Sequence, residues 1–310
     1  LSNHSLLDFS SVRRLIINAD DFGLTSGVNR AILEAHQGGV VTSTTLMATG
    51  PAFQEAAQMA RTVPKLSVGC HVVLVDGSPL LPANDLSSLV TSIERADSTK
   101  GNPRLRDGMA DFVRRALTGQ LDPLQIEAEA TAQIRRLQSA GLSVSHCDTH
   151  KYTHIFPAVL QPLLRAIKNC GVRALRNPFS DVRPLPLGVL LARTNLWKRY
   201  AQVKVLRRFA DQFRRAASDA DVFTPDGTLA VVITGELDER FFRVIIESMP
   251  EGTWEFVCHP GYYDSDLEAT RTRLKESREK ELRVLTSSVA RRVLAEREIT
   301  LISFRDIVAQ

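Results

Sequence analysis

Asn18-Ala19-Asp20-Asp21-Phe22-Gly23 decides how this chain is read. The apolar run Leu15-Ile16-Ile17 just before it has the character of a buried strand, and Gly23 with Thr25 and Ser26 turns the chain into a helix. Two carboxylates at the end of a central strand are costly unless a cation compensates them, because unpaired buried charge is heavily penalised. A divalent metal is the simplest compensation. One Asp would serve as a helix cap; two in succession point in different directions, so one can bind a metal while the other handles a proton. Further out, three more polar clusters close apolar runs of the same kind: Gly69-Cys70-His71, His146-Cys147-Asp148-Thr149-His150 and Cys258-His259-Pro260. Strand ends carrying Asp or His predict one shared site, since in parallel α/β barrels the chemistry gathers at the C-terminal ends of the strands.

The rest of the chain alternates strand-like and helix-like segments. Strands are expected at 15–18, 40–48, 66–74, 142–147, 172–175, 229–234, 254–258 and 300–304. Helices are expected at 26–37, 51–61, 123–140, 156–170 and 236–248, with one long helix from about 267 to 296. Residues 75–110 read as an irregular excursion and 178–228 as an irregular basic insertion. About seven βα units without an internal repeat predict a parallel, barrel-like α/β fold. No linker divides the chain, so one domain is expected over 1–310, with its core at about 13–306.

With 310 residues and 44% apolar content, the chain is long enough for a large α/β domain. Its formal charge of +4 is mild, and no nucleic-acid-binding motif or aromatic-studded basic stripe occurs, so no nucleic-acid partner is expected. The cysteines, Cys70, Cys147, Cys170 and Cys258, form no CxxC pair. That pattern suits a reducing, cytoplasmic setting. No apolar run of about 18 residues occurs, and 1–11 lacks the charged start and apolar core of a signal peptide.

His71 follows Gly69 at a strand end, where glycine permits close packing. His146 and His150 are four apart, a spacing that converges on one metal if the segment turns helical, and Asp148 could orient a ligand histidine. His259 precedes Pro260-Gly261, so the strand breaks there and the ring can face a cavity; an imidazole titrating near neutral pH suits a general acid. His4 and His36 read as surface residues. Cys70 and Cys147 read as small packed hydrophobes rather than nucleophiles.

The pieces NADDFG at 18–23, VTSTT at 41–45, GCHVVL at 69–74, SHCDTHKYTH at 145–154, VCHP at 257–260 and ELRVLTS at 281–287 together resemble the YdjC-like carbohydrate deacetylases. This family includes chitooligosaccharide deacetylase and the hopanoid-biosynthesis-associated deacetylase. The resemblance implies a NodB-like irregular (β/α) barrel and divalent-metal-dependent N-deacetylation of an N-acetyl amino sugar. By position it implies Asp21, His71 and His150 as metal ligands, Asp20 as general base, and His259 as general acid or as a group that polarises the site. His146, Asp148, His154 and Arg176 would support the site or meet substrate. It implies Mg²⁺ first, with Zn²⁺ as the other candidate. Tyr152 departs from the pattern, standing where the family often carries another histidine.

Within 190–216, basic residues (Arg193, Lys198, Arg199, Lys204, Arg207, Arg208, Arg214, Arg215) interleave with Leu196, Trp197, Val203, Leu206, Phe209 and Phe213. A solvated basic face is one reading; an interfacial helix meeting anionic lipid is the other, and it would suit a glycolipid substrate. Two rivals to the hydrolase stand beside it. A non-haem iron oxygenase also uses two histidines and a carboxylate, usually in an all-β setting, and a sugar- or glycolipid-binding protein could hold a structural metal. The sequence sets no oligomeric state.

Overall fold

The structure is a computed structural model that describes residues 12–91, 103–180 and 194–308. The readings of His4, of 1–11, of 92–102 in the irregular excursion and of 181–193 in the basic insertion lie outside the described residues.

β1 (Arg13–Phe22) is the central strand, with Leu15, Ile16, Ile17 and Ala19 fully buried. A strand covered on both faces needs such a continuous apolar run. One edge of β1 pairs with β6 (Gly252–Cys258) from Arg13↔Gly252 to Ala19↔Cys258. The other meets β7 (Thr300–Leu301) near its start and β2 (Ser43–Leu46) near its end. β3 (Ser67–Val72) and β4 (Cys147–Thr149) continue beyond β2, and β5 (Gly227–Leu229) lies beyond β6. Every one of these pairings is parallel.

The two outer strands are joined through the extended segment 173–179. Cys147 N–H donates to Ala174 O and Arg176 N–H to Cys147 O on one side; Leu175 N–H donates to Phe223 O and Thr228 N–H to Phe179 O on the other. The sheet therefore curls into an irregular (β/α) barrel of the NodB-like kind, which brings Arg176 inside. Helices α1 (Ser26–Gln37), α2 (Phe53–Thr62), α3 (Met109–Leu117), α4 (Pro123–Ser139) and α5 (Pro157–Asn169) cross between the strands and bury their apolar faces on them. This parallel α/β layout is unlike the all-β setting usual for the oxygenase triad.

Several boundaries differ from the sequence reading, each for a local reason. β4 begins at Cys147 rather than 142, because Leu142 N–H still bonds back to Leu137 O at the end of α4. β5 ends at Leu229, where Ala230 adopts a left-handed backbone (φ 69°) and leads into the 3₁₀ turn Val231–Ile233. The long helix of 267–296 is three helices, Ser265–Ala269, Glu276–Thr286 and Ser288–Glu296. Ser287 is extended and its hydroxyl caps Ala290 N, so it starts a new helix instead of continuing the old one. β7 stops at Leu301 and Phe304–Val308 is a short helix. Within the basic insertion, helices run over Thr194–Leu206 and Ala210–Asp219.

Candidate functional site

In a regular strand successive side chains point to opposite faces. The register of β1 against β2 shifts between Ala19 and Phe22, and Asp21 takes a left-handed φ of 70°. This break in the pleat lets both adjacent carboxylates reach the C-terminal end of the barrel. Neither is spent as a helix cap, because Thr25 Oγ1 accepts from Val28 N and caps α1.

Asp21 Oδ1 lies 3.5 Å from His71 Nε2 and 3.7 Å from His150 Nδ1, and the two ring nitrogens are 3.2 Å apart. Donor atoms of one ion bound at about 2.0–2.2 Å would be separated by roughly 3.0–3.6 Å. The chemistry of the donors fits as well. His71 Nδ1 is bonded to Asp148 Oδ1 at 2.6 Å, which turns the lone pair of Nε2 toward Asp21 and His150. The grouping of Asp20, His71 and Asp148 is also close enough to hold an ion; its two carboxylates share the single charge of Arg176, while Asp21 is paired at one oxygen with Arg278. Asp21, His71 and His150 are thus one of two groupings among the described residues close enough to hold a metal, and His150, about one-quarter exposed, keeps this one open to solvent.

Arg176 is fully buried and serves three carboxylates. Its NH1 and NH2 clamp Asp20 at 2.8 and 2.6 Å, NH1 reaches Asp148 Oδ2 at 2.6 Å, and Nε reaches Glu255 Oε1 at 2.8 Å. Burial alone would raise the Asp20 pKa, but the Arg176 charge and hydrogen bonds overcome it and hold Asp20 well below the usual carboxylate range. For Glu255 burial wins, pushing it up to about 7 despite Arg176. His71 is the reverse case: with no ion bound, burial opposes its charge, yet Asp148, Asp20 and Asp21 raise it to about 9, so a metal at Nε2 would have to displace a proton. Thr45, in the VTSTT stretch, donates to Asp148 Oδ2 at 3.1 Å and lies 3.3 Å from Asp20 Oδ1.

His259 Nε2 lies 3.9 Å from Asp20 Oδ2, and burial lowers its pKa against the opposing pull of Glu281, Asp20 and Asp21. Helix Glu276–Thr286 supplies two residues the sequence reading gave no role. Glu281 Oε2 accepts the His259 backbone N–H at 2.6 Å, and Arg278 NH2 donates to Asp21 Oδ2 at 2.5 Å. The sequence signal for both was charge on an apolar stripe, since 278, 281, 282 and 285 share one helical face and all are buried. Glu255 carries the same signal in the apolar strand run Trp254–Cys258.

His146 and His154 stand apart from the donor set. Residues 147–149 are strand, so His146 does not share a helical face with His150; its ring stacks on Phe304 at 3.7 Å and bonds Ser145 Oγ. Gly69 makes room for it, since a Cβ there would lie 2.5 Å from that ring. His154 ties Thr149 Oγ1 to Arg176 O through its two ring nitrogens, and burial holds it neutral, down to about 3. The turn between them carries left-handed Lys151 and Tyr152 (φ 58° and 56°), with the Tyr152 ring 5.6 Å from the Arg176 guanidinium. His36 is partly buried rather than a surface residue, its Nδ1 2.7 Å from Val41 O.

A family model described as YdjC-like protein matches residues 14–296. The chain belongs to the YdjC-like family. Among its relatives is a carbohydrate deacetylase of Geobacillus stearothermophilus, 35% identical over 296 residues that make up 95% of this chain and 98% of that one. A carbohydrate deacetylase of Brevibacillus brevis is 30% identical over 295 residues, 95% of this chain and 99% of the relative. Among solved structures, a candidate cellobiose-phosphate cleavage protein of Enterococcus faecalis V583 superposes with a TM-score of 0.74 at 26% identity, covering 96% of this chain and 99% of that one.

Proposed function

We propose that this YdjC-like chain is a hydrolase that removes the acetyl group from an N-acetylated amino sugar, using a divalent metal held by Asp21, His71 and His150. The observation that carries the reading is the triangle of three donor atoms beside an ionised carboxylate, Asp20, held by Arg176 and facing His259 through Oδ2 at 3.9 Å. Two relatives bearing the name carbohydrate deacetylase over nearly their whole length support the reaction class.

When bound, the ion supplies Lewis acidity, acidifying a water and polarising the acetamide oxygen. Asp20 accepts the proton of the attacking water; Arg176 keeps it ionised, the only form that can do so, and fixes its orientation. His259, backed by Glu281, is placed to give a proton at Nε2 to the departing nitrogen. Amide and water thus become amine and acetate with no covalent enzyme adduct. Cys70, Cys147 and Cys258 are not needed as nucleophiles, and burial raises each thiol well above its usual pKa.

The resemblance points to Mg²⁺, while two imidazole nitrogens with one carboxylate oxygen form a donor set better suited to Zn²⁺. Four free cysteines, two of them opposite one another in β3 and β4, support a cytoplasmic setting. No helix among the described residues is long and apolar enough to cross a membrane. Residues 194–219 hold seven Lys and Arg against two Asp, a net +5 where the whole chain carries +4. Exposed Trp197 and Val205 lie on that basic surface, which supports a peripheral contact with anionic lipid.

The test is acetate release from N,N′-diacetylchitobiose, longer chitooligosaccharides and an N-acetylglucosaminyl lipid presented in anionic vesicles, each with and without chelator. Chelator-sensitive acetate from a member of the panel is expected, and preference for the lipid at low salt supports the membrane contact. A folded, metal-loaded protein that binds these sugars without releasing acetate would instead favour the sugar-binding alternative.

A further inference from the structure

Arg278 is 1% exposed, at the barrel end of helix Glu276–Thr286, and its position is over-determined. Its Nε donates to Leu274 O at 3.1 Å, which fixes the guanidinium plane. Its stem runs past Gly261, where a Cβ would lie 2.9 Å from Arg278 Cδ. Gly261 is thus the residue of the His259-Pro260-Gly261 turn that gives Arg278 passage. The charged end delivers NH2 to one oxygen of Asp21, Oδ2, at 2.5 Å. The other oxygen, Oδ1, is the one aimed at His71 Nε2 and His150 Nδ1.

A carboxylate with both oxygens free can chelate an ion through both; one whose outer oxygen is held by a guanidinium offers only the inner one. We propose that Arg278 is a positioning residue that makes Asp21 a one-oxygen metal ligand, so that the three-residue donor set keeps its remaining positions open. This inference rests on the metal reading of Asp21, His71 and His150 given above. Arg278 also withdraws negative charge from the ligand, which leaves a bound ion more electrophilic. Among the described residues its NH1 is buried without a hydrogen-bond partner, while NH2 is committed to Asp21.

The full chain, freed of metal, is titrated with Co²⁺, whose visible absorption reports coordination number. Wild type, Asp21→Ala, Arg278→Ala and Arg278→Lys are compared, with folding followed by thermal unfolding of the metal-free proteins. Arg278→Ala is expected to change Co²⁺ affinity by about 10–100-fold and to weaken the absorption as Asp21 adds its second oxygen. Millimolar guanidinium, but not urea, should restore the wild-type spectrum. Arg278→Lys, which keeps the charge on a single donor, should fall between the two and carries the test if the alanine variant does not fold. Wild-type affinity and spectrum in the Arg278 variants, with binding still lost in Asp21→Ala, would overturn the Arg278 assignment alone. Failure of the wild type to bind Co²⁺, or full binding by Asp21→Ala, would overturn the metal reading and this inference with it.

Discussion

Arg176 on Asp20 and Arg278 on Asp21 give two neighbouring carboxylates different chemistry. Asp20 is clamped at both oxygens and points an edge at His259; Asp21 is held at one oxygen and offers the other to two imidazoles. Replacing Asp20 by Asn removes the proton acceptor without touching the donor triangle. Asp20→Asn is therefore expected to lower acetate release by roughly 10²–10⁴-fold while bound metal, measured by elemental analysis, stays unchanged. Loss of the metal in that variant would make Asp20 a ligand instead. The two acids and the histidines at 71, 150 and 259 were legible because each closes an apolar run. Arg278, Glu281 and Glu255 were not: each comes from another element, helix Glu276–Thr286 or β6, and only three-dimensional packing brings them to the acids of β1 and to His259.

At the scale of elements, the turn His150–Ile155 must present one histidine to the donor set and bury another. His154 is the buried one, neutral down to about pH 3 in the folded chain against an ordinary value of 6.5. Between these two values the unfolded chain binds a proton that the folded chain refuses, so stability falls as pH drops below about 6.5 and stops falling near 3. One such group sets a slope of about 1.4 kcal/mol per pH unit. His146, held well below its usual range by burial, adds in the same sense. Urea unfolding of the metal-free protein should show this acid-side loss, with a slope shallower by about one proton in His154→Gln; an unchanged slope would mean that His154 titrates normally. Element order and type were largely readable from periodicity. Two errors fell where a local device overrode it, the Ser287 cap that splits a long amphipathic stretch and the left-handed Ala230 that ends β5, and α3 and the helices of 194–219 lie in or beside stretches read as irregular.

For the molecule as a whole, barrel closure decides whether the clusters meet. β1 and β3 carry Asp21 and His71, His150 and His259 lie just past the ends of β4 and β6, and the extended segment 173–179 closes the ring and brings Arg176 onto Asp20, Asp148 and Glu255. That segment reads as a short strand in the sequence, but its double-sided bonding depends on Phe223 and Thr228, about fifty residues away in the least periodic part of the chain. The central claim is that this closure assembles a three-residue metal centre from Asp21, His71 and His150. The direct measurement is elemental analysis after equilibrium dialysis against Zn²⁺ or Mg²⁺, comparing wild type with His150→Ala, whose side chain is the most exposed of the three and the least needed for folding. About one ion per wild-type chain, lost in His150→Ala while the variant keeps its fold, is the predicted result. Equal ion content in the two proteins, or none in the wild type, would contradict it.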